Sequence, residues 1–68
     1  MSKYQPLWNW IKENGELRFK LTYTEMEQIL GFPIDHSFLT YKKELKEYGF
    51  NVGKISMREQ TIEFTKEQ

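Results

Sequence analysis

Tyr4, Leu7, Trp8 and Ile11 recur at the 3.6-residue spacing of a helix with one covered side. Pro6 suits the first turn, because its ring fixes φ near the helical value, and Asn14-Gly15 offer residues that tolerate a left-handed cap. The spacing therefore predicts a helix that opens at Pro6 and closes at Asn14-Gly15, with Trp10 well off its apolar stripe. The period then changes to two. Leu17, Phe19 and Leu21 alternate with Glu16, Arg18 and Lys20, as in a strand with one buried face. Thr22 and Glu25 form a T-x-x-E pair, in which each side chain satisfies the other's free backbone N–H at a helix start. Tyr23, Met26, Ile29 and Leu30 supply the apolar face of this second helix, which Gly31 ends after about two turns.

Phe32-Pro33-Ile34 is a tight, partly apolar connector, and Asp35 stands where it can cap the helix that follows. A third helix is expected over residues 35–48. Phe38, Tyr41, Leu45 and Tyr48 line its buried edge, and Gly49 with Phe50 stops it. His36, Leu39, Lys42, Lys43 and Lys46 fall on the opposite side, together with Glu44 and Glu47. The remainder reads as a hairpin. Phe50, Val52, Ile55 and Met57 precede the polar stretch Arg58-Glu59-Gln60, and Ile62 and Phe64 alternate with Thr61, Glu63 and Thr65. The apolar phase slips by one at Gly53-Lys54, which predicts a bulge there.

This order predicts one α+β domain over residues 1–68 of the winged helix-turn-helix kind. In such a domain the early strand joins the hairpin in a three-stranded antiparallel sheet, since a hairpin alone is marginal in water. Helix 35–48 then occupies the recognition position and residues 58–60 the wing tip. In a DNA reader, His36, Leu39, Thr40 and Lys43 would face base edges, while Lys42, Lys46, Lys54 and Arg58 would meet phosphates. The same lysines also suit a plainly solvated helix face, and Glu25 and Glu27 would oppose a nearby DNA backbone. Trp8 belongs to the core stripe. Trp10 is either an interface anchor, a role in which tryptophan is enriched, or a residue packed on the sheet edge or Tyr4.

Composition narrows the function. A chain of 68 residues buries only about 60% of its unfolded surface and holds one core. An aromatic content of 16% supplies buried area that a disordered chain would not carry. No cysteine means no disulfide and no thiolate metal site. One histidine, no Gly-rich phosphate loop and no carboxylate cluster leave neither a nucleophile with its base nor a cofactor cradle, so no catalysis, cofactor, metal or small-molecule substrate is expected. Without a long apolar run or a secretory leader pattern, the reading is a cytoplasmic protein that meets no membrane. Ten basic and ten acidic side chains cancel, so any nucleic-acid binding must come from a local patch. Two partner classes remain open. Element order and the basic cluster on one helix put double-stranded DNA first, bound through helix 35–48 and the wing as in a transcriptional regulator, with the second class as the alternative. Zero net charge and the off-stripe Trp10 favour a protein-interaction module, such as a phage- or mobile-element-encoded inhibitor or a self-associating domain, with Trp10 or Leu39 at its centre.

Tyr4-Gln5-Pro6-Leu7, the run from Leu21 to Gly31, Ser37, Gly49-Phe50-Asn51-Val52 and Ile62-Glu63-Phe64 resemble a family of small uncharacterised bacterial and phage domains with the pattern L-T-[FY]-x-E-[IM]-E-x-I-L-G. The match is dense only over residues 21–32. The resemblance implies a winged-helix fold and a nucleic-acid-binding role. Family members carry Pro-x-Ser-Ala before the third helix and a tryptophan-rich stretch after it. This chain instead has Asp35-His36-Ser37-Phe38 and no tryptophan beyond position 10, so nothing from that stretch carries over.

Overall fold

The computed structural model describes residues 2–67. Helix α1 (Gln5–Asn14) leads to strand β1 (Arg18–Thr22), helix α2 (Tyr23–Leu30) and a short helix α3 (Ser37–Tyr41). A 3₁₀ segment (Lys42–Tyr48) continues α3, and strands β2 (Phe50–Ser56) and β3 (Thr61–Lys66) complete the chain. The three strands form one antiparallel sheet in the order β1-β3-β2, so the early strand does join the hairpin.

Local chemistry accounts for most element ends. The Thr22 hydroxyl accepts the Glu25 backbone N–H at 3.0 Å, and the Glu25 carboxylate accepts the Thr22 backbone N–H at 2.9 Å, which closes both arms of the capping box. Gly31 and Gly49 end their helical segments in the left-handed region, at φ 87° and 85°. Gly15 does not. At φ −70° and ψ 143° it is extended, correcting the expected left-handed cap. Glycine is required there for a different reason: a Cβ would lie 2.5 Å from the Ile11 carbonyl oxygen and 2.7 Å from the Phe50 ring.

The sheet divides its side chains cleanly. Phe19, Phe64 and Val52 form one cross-strand row, and Leu21, Ile62 and Ile55 the next, all on the face covered by the helices. Lys20 opposite Glu63 and Thr22 opposite Thr61 occupy the other face, where their polar groups meet water. Leu17 departs from expectation. The strand starts one residue later, so Leu17 is 63% exposed and contributes only its carbonyl, which accepts the Lys66 N–H at 2.8 Å. The expected bulge is present: Val52 pairs with Phe64 and Ile55 with Ile62, leaving Gly53 and Lys54 opposite Glu63 alone.

The core centres on α1. Tyr4, Leu7, Trp8 and Ile11 are fully buried against Met26, Phe38, Leu45 and the sheet residues Leu21, Phe50, Ile62 and Phe64. Tyr4 meets Phe38 edge-on at 5.6 Å between ring centres, and Phe19 stacks on Phe64 at 5.3 Å.

The third helix is not continuous over residues 35–48. It is α-helical only from Ser37 to Tyr41 and then tightens into seven residues of 3₁₀ helix. Three residues per turn rotate side chains differently from 3.6, yet beyond the junction Leu45 is buried and Tyr48 half-buried as expected, with Lys43 and Lys46 exposed. Tyr41, expected inside, is 38% exposed, while Glu44, expected on the open face, is half-buried. No helix of the described residues is long and apolar enough to cross a membrane.

Candidate functional site

Two structures built from the α2–α3 turn define the candidate site. The first is a polar clasp around Asp35. One carboxylate oxygen accepts the Ser37 backbone N–H at 2.9 Å, bonds the Ser37 hydroxyl at 2.5 Å and accepts the Tyr4 hydroxyl at 3.0 Å. The other pairs with the Lys3 ammonium at 2.9 Å. These donors favour the ionised form. The Ser37 hydroxyl chiefly, then Lys3, the Ser37 N–H and Tyr4, hold the Asp35 carboxyl well below the usual carboxylate range. Its hydrogen bond in turn raises the Lys3 ammonium above its ordinary value. The Lys3 ammonium also lies 5.2 Å from the centre of the Phe32 ring. The residues before α1 thus fasten the turn that launches α3, with Asp35 capping one position earlier than the helix's own flanking residue, His36.

The second structure is an apolar groove of about 420 Å³ between α3 and the β2–β3 hairpin. Ile34 and Leu39 line it from the helical side, and Ile55 and Met57 from the hairpin. Phe38 and Ile62, both buried, extend the core into it, and Tyr23 joins them from the start of α2. Asp35 and His36 are its polar contributors. Leu39 remains 51% exposed and Met57 79% exposed, so two large apolar side chains stand open to water beside an apolar cavity. The hairpin is held in place by the Tyr23 N–H, which donates to the Gln60 carbonyl at 2.8 Å. Gln60 itself adopts φ 57°, a left-handed conformation uncommon outside glycine and asparagine.

Of the residues expected to contact a partner, His36 and Leu39 lie in the groove wall. Thr40, Lys43, Lys46, Lys54 and Arg58 are exposed, and Lys42 is half-buried. Among the described residues the ion pairs are Lys3–Asp35 and Arg18–Glu63, so none of the five cations from Lys42 to Arg58 has an acidic partner within reach. Trp10 is half-buried and packed against the core. Sequence reasoning missed Tyr23, Ile34, Ile55 and Met57 as site residues. The only trace was a run of apolar residues in a connector and at a hairpin end, where polar ones are usual.

Glu44 has a structural task. Its carboxylate accepts the Ser2 hydroxyl at 2.5 Å and the Nε1–H of the fully buried Trp8 at 3.0 Å. The Ser2 bond first, then the Trp8 bond, lower its pKa. A smaller polar depression of about 220 Å³ adjoins it, formed with Gln5, Glu47 and Tyr48, and the Gln5 amide bonds the Tyr48 hydroxyl across this space. No group of three or more His, Cys, Asp or Glu side chains that could hold a metal ion occurs among the described residues. Comparison with family models, with curated proteins and with solved structures gives no match to this chain.

Proposed function

We propose that this chain is a non-catalytic, winged-helix-like interaction domain, which takes apolar side chains of a protein partner into the groove between α3 and the β2–β3 hairpin. The observation that carries the reading is the exposure of Leu39 and Met57 together beside an apolar cavity of about 420 Å³. Cavities of this size and lining suit ligand groups or a few side chains. Two exposed large apolar side chains beside an apolar cavity support a binding face. Panning a random dodecapeptide library on the domain and on a Leu39→Arg/Met57→Glu variant tests it. The wild-type domain enriches sequences that the variant does not. Identical selections, or no enrichment, would overturn the reading.

A DNA-binding reading draws on a separate observation, Lys43 and Lys46 on the 3₁₀ segment with Lys54 and Arg58 on the hairpin, all exposed and without an ion-pair partner among the described residues. It predicts duplex affinity that falls steeply with salt and with Lys43→Glu. The interrupted recognition helix and the apolar lining between helix and hairpin fit a phosphate backbone poorly, which places this reading second. Fluorescence titration with random duplex at low salt decides it, and absence of binding there eliminates it.

A further inference from the structure

An asparagine followed by glycine readily loses its side-chain amide, because a residue without a side chain leaves its backbone nitrogen free to reach the asparagine Cγ. Asn14 stands before Gly15, whereas Asn9 precedes Trp10 and Asn51 precedes Val52, both bulky. Packing fixes the pairing, since a Cβ at position 15 would meet the Ile11 carbonyl oxygen at 2.5 Å and the Phe50 ring at 2.7 Å. The folded chain keeps both reacting groups occupied. Asn14 is the exposed last residue of α1, and its side-chain nitrogen donates to the Trp10 carbonyl at 3.0 Å. The Gly15 N–H donates to the Ile11 carbonyl at 2.7 Å. Joining the two requires Asn14 to leave its helical backbone angles, so the last turn of α1 must open first.

We infer that Asn14-Gly15 is a modification site held closed by the folded end of α1, at which opening of the helix leads to deamidation of Asn14. Hydroxide removes the Gly15 amide proton, and the nitrogen attacks the Asn14 Cγ. The new C–N bond closes a succinimide, the Cγ–Nδ2 bond breaks, and the amide leaves as ammonia with a proton from water. Water then adds to one ring carbonyl. Opening at Cγ gives aspartate, and opening at the backbone carbonyl gives isoaspartate, in which the chain runs through the former side chain. Either product puts a negative charge at the C-terminal end of α1, where the helix dipole opposes it. Isoaspartate also adds a backbone carbon ahead of Gly15, which shifts its N–H from the Ile11 carbonyl and the glycine from the Phe50 ring. The altered chain closes α1 less well than the original, so the change acts in one direction.

Intact mass and peptide mapping after incubation at mildly alkaline pH, in native buffer and in guanidinium chloride, test this. In denaturant, a gain of about one dalton accompanies ammonia release and maps to Asn14, as aspartate and isoaspartate. In native buffer the conversion runs at least about tenfold slower, the factor set by an opening free energy of about 1.4 kcal/mol. Asn14→Gln abolishes the gain in both. The isoaspartate form, isolated and returned to native buffer, unfolds at lower urea than Asn14→Asp, which carries the charge without the longer backbone. A smaller ratio of rates overturns protection by α1. A gain that maps to Asn9 or Asn51, or none in denaturant, overturns the site itself. An isoaspartate form as stable as Asn14→Asp overturns the one-way step.

Discussion

The Trp8 side of the helical layer and the Leu39 side are made from similar residues and end in opposite states. Around Trp8, rings from Tyr4 and Phe38 pack within 6 Å between centres, and the indole N–H is answered by Glu44. Among the described residues, no buried side-chain polar atom lacks a partner. Around Leu39, apolar side chains of the same kind line a cavity open to water. The difference shows stability and binding drawn from separate parts of one small core. The α1 side holds the fold closed, and the α3–hairpin side can present Leu39 and Met57 because little of the fold rests on them.

Substitutions can break or sharpen that contrast. The largest effect is expected at Trp8. Trp8→Ala removes the biggest fully buried side chain and costs about 3–5 kcal/mol, a large share of what a domain this size has. Far-UV circular dichroism during urea unfolding should find the variant largely unfolded at room temperature. A loss under about 1 kcal/mol would mean that α1 is not the keystone. Glu44→Ala leaves the buried Trp8 N–H without its acceptor and should cost about 1–3 kcal/mol. Glu44→Gln keeps a carbonyl oxygen in reach and should cost less, so equal losses for the two would show that the bond to Trp8 is not what matters.

At Gln60 the sign reverses. Left-handed backbone costs an L-residue roughly 1–2 kcal/mol, while glycine's extra freedom in the unfolded chain takes back about 0.4–1 kcal/mol. Gln60→Gly should therefore stabilise by about 0.5 kcal/mol, read as a higher urea midpoint at unchanged slope. Met57→Ser and Leu39→Ser should each change stability by no more than about 0.5 kcal/mol while removing groove binding. If either unfolds the domain, the groove side is structural after all and the comparison fails.

The clasp gives the gentlest test, through pH. Asp35 has its carboxyl pKa depressed in the folded state, so its contribution is present above the unfolded value near 4 and is lost as pH falls below it. Thermal melts of wild type should decline through that acid range more than those of Asp35→Asn. Parallel curves would show that the Lys3–Asp35–Ser37 cluster does not steady the α2–α3 turn.

Sequence and structure agree where a signal is local. The capping box at Thr22 and Glu25, the left-handed stops at Gly31 and Gly49 and the bulge at Gly53-Lys54 each depend on a few neighbouring residues, and all stand as their residue types indicate. Disagreement begins where remote contacts decide. Gly15 was legible as a helix stop but not as the place where Phe50 crosses the backbone, because that approach joins residues 15 and 50. Glu44 leaves its expected open face because Ser2 and Trp8, both remote in sequence, hydrogen-bond its carboxylate, while Tyr41, the last α-helical residue of α3, is 38% exposed although its spacing placed it inside.

The amino-acid sequence by itself determined the class of fold, the order of its elements and the apolar faces of α1 and β3, since these follow from period, caps and turn residues acting within a few positions. Only the tertiary structure decided that Trp8 would recruit Glu44, that Asp35 would gather Lys3, Tyr4 and Ser37, and that Ile34, Leu39, Ile55 and Met57 would meet around one groove. A cavity is what several elements leave between them once each has buried its own stripe. No single stretch of chain encodes that remainder.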